Sequence, residues 1–223
     1  MRRKRALIVG IAAAVVGLSI VRIDSKPSDF SPLVLGKERA PLRVLLLGTS
    51  LSSNAAWPAD LIREVDERCG IDISITVVAA PGMTSDWGVR ALDGIDVQKV
   101  DLLVVEFAIN DARFVVGVPM DRSRANVSTL LTALGPRPPP ASVLLVTNPA
   151  TGVDRLFRWR LNSYYAAHRE VAADSGAVII DGTDRWSERL NGVRDGIHPD
   201  PKVESSIYTP LLVDHLCGRQ PSS

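Results

Sequence analysis

The segment Asp195-Gly196-Ile197-His198-Pro199 puts a carboxylate three residues ahead of an imidazole, close enough for one loop to hold both. An imidazole oriented in this way can take a proton from a hydroxyl. The sequence offers such a hydroxyl at Ser50, in Gly48-Thr49-Ser50-Leu51-Ser52. Hydroxyl, imidazole and carboxylate are the set that acyl transfer needs, as nucleophile, base and orienting group. The tetrahedral oxyanion of that reaction must be met by N–H donors. Candidates are Gly82 in Pro81-Gly82-Met83, the amide of Asn110 in Ala108-Ile109-Asn110-Asp111, and the backbone N–H of Ser50. Taken alone, Ser50 reads equally well as a loop serine that caps the next helix.

The elements around these residues decide between the two readings. Arg43–Leu47 is an unbroken run of branched apolar residues ended by Gly48, the pattern of a strand buried on both faces of a parallel sheet. Four more strands are expected at 71–79, 101–107, 142–147 and 177–181. The second alternates Ile71, Ile73, Ile75 and Val77, as an edge strand with one wetter face does. Helices are expected at 57–68, 85–92, 122–134, 153–174 and 202–217. Strands alternating with helices imply a three-layer α/β/α fold around a five-stranded parallel sheet. The right-handed crossover rule favours a doubly wound, flavodoxin-like order. Ser50, Gly82, Asn110 and the Asp195–His198 loop then all fall at the carboxyl edge of that sheet, where such folds place their ligands.

The chain has 223 residues, 46% of them hydrophobic, and a formal net charge of +1. That fits one domain with a sizeable core and gives no reason to expect a nucleic-acid partner. Cys69 and Cys217 are too few for a disulfide scaffold and lack metal-site spacing, so no metal is expected from them. The first five residues are a basic cap, and Ala6 to Val21 is an uncharged apolar run. Residues 1–23 thus read as a signal peptide or signal anchor and 24–40 as a linker to a domain at 41–223. A periplasmic or extracellular location follows, with the inner membrane as a partner if the segment is uncleaved.

The blocks around Ser50, Gly82, Asn110 and Asp195–His198 stand in the order and at the spacing of the SGNH hydrolases, and the chain resembles that GDSL-type esterase/lipase superfamily. The resemblance runs from about Val44 to the C-terminus. It implies ester hydrolysis without a cofactor. Ser50 would be the nucleophile, His198 the general base and Asp195 its orienting group. Gly82, Asn110 and the Ser50 N–H would form the oxyanion hole. Two positions depart from the family pattern. Thr49 replaces the usual Asp of Gly-Asp-Ser, which removes a carboxylate beside the nucleophile, and Ala108 replaces a glycine two before Asn110.

The segment from Glu106 to Ala112, with the export signal, looks like that of proteobacterial SGNH proteins associated with extracellular polysaccharides. This resemblance implies an exported esterase acting on O-acyl, for instance acetyl, groups of carbohydrate. Two other readings stand beside it: an O-acyltransferase using the same triad, and a non-catalytic polysaccharide-assembly factor. His168 and His215 read as surface or packing residues. Arg155, Arg158 and Arg160 read as one solvated helix face in preference to a site for an anionic or polyol substrate, and Phe114–Met120 as a packed loop in preference to a lid or acyl-pocket wall. In a flavodoxin-like order the helices ending at Cys69 and Cys217 lie side by side on one face of the sheet. Export would put the two cysteines in an oxidising compartment, so they pair as a disulfide or remain as two small buried apolar residues.

Overall fold

The computed structural model describes residues 40–136 and 141–218. The N-terminal segment at 1–23 and nearly all of the linker lie outside these. Five strands form one sheet: β1 Leu42–Gly48, β2 Ile73–Ala79, β3 Leu102–Val105, β4 Ser142–Val146 and β5 Val178–Asp181. All pair in parallel, in the order β2-β1-β3-β4-β5. This is the flavodoxin-like order expected from the apolar runs. The chain winds outward on both sides of β1, so the switch point lies there. β2 is one of the two edge strands, with Val77 42% exposed.

Alternation along the strands builds two cores. Leu45, Leu47, Leu103, Val105, Leu144 and Val146 point to one side of the sheet. They meet helices α3 Ser85–Leu92, α4 Ala108–Asp111, α5 Met120–Leu131 and α7 Leu161–Asp174. Val44, Leu46, Val104, Val143 and Leu145 point to the other side, against α2 Trp57–Cys69, α8 Thr183–Ser187 and α9 Pro201–Cys217. Two short helices complete the set, α1 Ser50–Ser53 and α6 Asp154–Phe157. α2 turns Trp57, Leu61 and Val65 inward at a spacing of four, which leaves Ile62 outside. No helix among the described residues is long and apolar enough to cross a membrane.

Cys69 and Cys217 are joined by a disulfide, with their Cα atoms 5.7 Å apart. The bridge staples the C-terminal ends of α2 and α9. Arg68 adds an ion pair to Asp214 and a hydrogen bond to the Gly218 carbonyl at the same place.

Two expectations need correction. The single helix at 153–174 is two, α6 and α7, broken at Arg158–Arg160. Arg158 leaves the helical region at φ −128° and ψ 34°. Its guanidinium turns inward to Asp154 and to the Ile109 carbonyl, so Arg158 is 4% exposed and belongs to no solvated face. The segment after Asn110 is also not packed throughout. Val118 is buried, but Phe114, Val115 and Val116 stand out in solvent at 63%, 85% and 59% exposure. Gly117 and Val118 donate back to the carbonyls of Arg113 and Asp111, a tight loop that carries Val115 at its tip with φ +78°. Of the two readings open for His168, the structure gives packing. His168 is 1% exposed in a buried chain in which Ser123 Oγ donates to Asp111 at 2.6 Å and lies 2.7 Å from His168 Nε2. The Ser123 proton is used on Asp111, so Nε2–H must be the donor from the ring. The bare Nδ1 then has no hydrogen-bond partner. Burial lowers the His168 pKa to about 4, which keeps the ring neutral.

Candidate active site

Ser50 is the first residue of α1, two beyond the end of β1. Thr49 caps that helix, accepting from Leu51 N with its side chain. The turn is held from below by Glu106, which follows β3 and is wholly buried. Its carboxylate accepts the Thr49 N–H at 3.0 Å, the Thr49 hydroxyl, and the Ser52 hydroxyl at 3.1 Å. A methyl at Gly48 would sit 2.2 Å from Ser52 Oγ and 2.9 Å from Glu106, so only glycine leaves room for this arrangement. A buried carboxylate thus stands beneath the turn at position 49, on the residue that follows β3. Burial raises the Glu106 pKa to about 7, against the pull of the bonds from Thr49 and Ser52.

The imidazole arrives from the far end of the chain. Ser50 Oγ lies 2.9 Å from His198 Nε2, and His198 Nδ1 lies 2.7 Å from Asp195 Oδ2. Asp195 Oδ1 accepts the backbone N–H groups of His198 and Ile197 at 2.8 and 3.2 Å. Partial burial would raise the Asp195 pKa, but the bonds from His198 and Ile197 outweigh it and bring it to about 2. An ionised Asp195 fixes the tautomer: Nδ1–H donates to the carboxylate, and the Nε2 lone pair faces the Ser50 hydroxyl.

The loop that carries this pair is braced on both sides. Asn148 Nδ2 donates to the Ile197 carbonyl at 2.8 Å, and Thr151 N donates to the Gly196 carbonyl at 2.7 Å. Val193 and Pro199 form an antiparallel bridge across its base. Asp200 then caps α9 by accepting from Lys202 and Val203.

Gly82 and Asn110 flank Ser50 because β2 and β3 flank β1. In register, Gly48 is level with Ala79, and Leu47 is level with Val105. Gly82 adopts φ +75° in the β2–α3 loop. Asn110 lies in α4 and donates one amide proton to the Met83 carbonyl at 2.9 Å, which ties the two loops together. The second amide proton is left for another acceptor. The Ser50 N–H, in the first turn of a helix, has no intrahelical acceptor either. Ala108 is 5% exposed and packs into the core, so its methyl group costs the site nothing visible.

All five residues singled out in the sequence come to one edge of the sheet. Sequence reasoning missed Glu106, Arg158 and Asn148. Glu106 had a signal, a carboxylate at the end of a doubly buried strand that must find partners. Arg158 and Asn148 act on carbonyls 49 residues away in sequence, Ile109 and Ile197, and carry no local signature. Beside the Asp195–His198 loop lies an open cleft of about 570 Å³, lined by Ala150, Thr151, Arg155, Trp159, Leu190 and Asn191 among others. No group of three or more His, Cys, Asp or Glu among the described residues could hold a metal ion.

A three-layer α/β/α sheet with a serine, an imidazole and a carboxylate aligned at its carboxyl edge defines a class of hydrolase. The sequence model of the GDSL-like Lipase/Acylhydrolase family matches residues 46–203, and the chain belongs to that family. It is a carboxylic ester hydrolase. A comparison with curated proteins finds no match by sequence. Among solved structures, a lipase/acylhydrolase from Enterococcus faecalis superposes with a TM-score of 0.66 at 20% identity, covering 81% of this chain and 98% of that one. An acetylxylan esterase from Geobacillus stearothermophilus superposes with a TM-score of 0.60 at 18% identity, covering 81% and 96%. Catalytic mutants of that esterase replace a serine, an aspartate or a histidine with alanine.

Proposed function

We propose that the protein is an exported serine esterase that removes O-acyl groups from carbohydrate, with Ser50, His198 and Asp195 as its triad. The observation that carries the reading is the unbroken line from Ser50 Oγ through the His198 ring to Asp195, at 2.9 and 2.7 Å. Ser50 Oγ attacks the ester carbonyl as its proton passes to His198 Nε2. Asp195 stabilises the imidazolium that forms. The tetrahedral oxyanion is met by the Ser50 and Gly82 N–H groups and the free amide proton of Asn110. His198 then returns its proton to the leaving alcohol, which departs and leaves an acyl-Ser50 ester. Water attacks that ester with His198 again as base, releasing the acid and restoring Ser50.

The carbohydrate assignment is supported by the fold shared with an acetylxylan esterase and by the polar side of the cleft beside His198, with Thr151, Asn162 and Asn191. Export is supported by the basic cap and apolar run at the N-terminus and by the disulfide, a bond that persists in oxidising compartments. Hydrolysis of p-nitrophenyl acetate and of acetylated xylo-oligosaccharides by the wild type and by Ser50→Ala tests the reading. Turnover should vanish in the variant. Acetate release from the aryl ester but not from any acetylated glycan would reject the carbohydrate assignment. An alkaline phosphatase fusion after Ala40 tests export: an inactive fusion would reject it.

A further inference from the structure

Ten large hydrophobic side chains are exposed among the described residues, and eight of them gather beside the active site. Phe114, Val115 and Val116 stand on the loop that follows Asn110. Val153, Leu156, Phe157 and Trp159 stand on and around α6, between the Thr151 brace and α7. Leu190 lines the same cleft as Trp159 and Arg155. The two loops are joined directly, because the Phe114 N–H donates to the Phe157 carbonyl at 2.7 Å. Both are also anchored to the catalytic frame. Thr151 holds Gly196, and Arg158 holds Ile109 next to Asn110. The fold thus fixes an apolar rim rigidly beside the triad and turns it outward. Exposed apolar side chains gathered on two linked loops mark a contact surface.

Arginines are set among these side chains. Arg113, Arg155 and Arg160 are exposed, and none has a carboxylate within ion-pair distance among the described residues. Arg160 also lies over the Trp159 ring, 5.6 Å from its centroid. Aliphatic and aromatic side chains with unpaired arginines between them match one environment in particular. The apolar groups enter the acyl boundary of a bilayer, tryptophan sits at the headgroup level, and the guanidinium groups meet anionic headgroups. A hydrated glycan would stack on Trp159 but would gain nothing from Val115, Leu156 or Val153. A second copy of the chain would bring its own three unpaired arginines to the same contact.

We propose that this rim, formed by residues 113–116, 153–160 and Leu190, is a membrane-seating surface that holds the mouth of the active site against an anionic lipid bilayer. The proposal goes beyond the esterase reading and is read without turnover, so the two can fail separately. Trp159 is the reporter. Trp57 and Trp186 are fully buried and Trp87 is half-buried, so the wild-type emission minus that of Trp159→Phe isolates the exposed ring.

The full-length chain is reconstituted in phosphatidylcholine vesicles with and without phosphatidylglycerol, using acyl chains brominated near the headgroup. Trp159 emission should be lost in the brominated anionic vesicles and largely retained in brominated vesicles of phosphatidylcholine alone. Joint replacement of Arg113, Arg155 and Arg160 by glutamine should restore it. Four results would overturn the proposal. Trp159 could keep its emission in brominated anionic vesicles. The loss could be indifferent to lipid charge and to the arginine substitutions. The ring could be shielded before lipid is added in a species of doubled mass. Acetylated xylo-oligosaccharide, and not lipid, could change Trp159 emission, which would make the rim a glycan subsite.

Discussion

At the scale of single residues, the site works through protonation states fixed by local contacts. Asp195 accepts three N–H groups from its own loop, and these hold its carboxyl near a pKa of about 2. It therefore stays ionised wherever the enzyme would act. Asp195→Asn would replace that acceptor with an amide that can turn an N–H toward His198 Nδ1. The ring would then present the wrong tautomer to Ser50. We expect kcat on p-nitrophenyl acetate to fall by up to ~10⁴ with the fold intact, as the comparable change does in a serine protease. A variant within a few-fold of wild type would remove Asp195 from the mechanism.

The elements explain why the residues meet. The register sets Gly48 level with Ala79 and Leu47 level with Val105, and the loops beyond these strand ends carry Ser50, Gly82 and Asn110 to the same edge of the sheet. Glu106 locks the first of these loops to the end of β3. In Glu106→Ala the Thr49 N–H and two hydroxyls lose their acceptor inside the core. Each buried donor left unpaired costs on the order of 1–3 kcal/mol. We expect a clear drop in unfolding free energy by urea titration. The turn carrying Ser50 should also loosen, lowering kcat with little change in KM. Unchanged stability and kcat would show that the contact is incidental.

Much of this level was legible in the sequence. The apolar runs marked all five strands to within about two residues, and Gly48, Gly82 and the Asp195–His198 spacing marked the loops. What escaped depended on distant partners. Helical periodicity runs through Arg158, and only the Ile109 carbonyl, 49 residues earlier in the chain, explains why its side chain is buried and the helix breaks there. Phe114–Val116 are as apolar as a core segment, and their exposure follows from the tight loop closed by Gly117 and Val118. Thr49 read only as the loss of a carboxylate, because the acid that accepts its N–H and hydroxyl, Glu106, is 57 residues away in sequence.

At the scale of the molecule, the disulfide and the buried acids set the stability. The bridge joins residues 148 apart, a loop for which the chain-entropy model gives ~5 kcal/mol as an upper figure. Joint replacement of Cys69 and Cys217 by serine should lower the urea midpoint markedly with little effect on kcat, since the bridge lies at the ends of α2 and α9, away from Ser50. An unchanged midpoint would contradict this.

Glu204 is buried on α9, and burial, with a smaller contribution from Glu106, raises its pKa to about 8. A carboxyl that binds its proton more tightly when folded stabilises the fold fully below its unfolded pKa near 4.5. That contribution declines as pH rises to about 8, by up to ~1.4 kcal/mol per pH unit. Urea unfolding of Glu204→Gln between pH 5 and 8 should therefore show stability rising relative to wild type with pH. Parallel curves would contradict the shift.

The central claim is that Ser50 carries the acyl group. Its most direct test is a fluorophosphonate reaction followed by peptide mass mapping of the full-length protein. The account expects one adduct, on the peptide holding Gly48-Thr49-Ser50 and assigned to Ser50 by fragmentation, absent in Ser50→Ala and slowed in His198→Ala. An adduct at any other residue, or labelling that persists in Ser50→Ala, would contradict it.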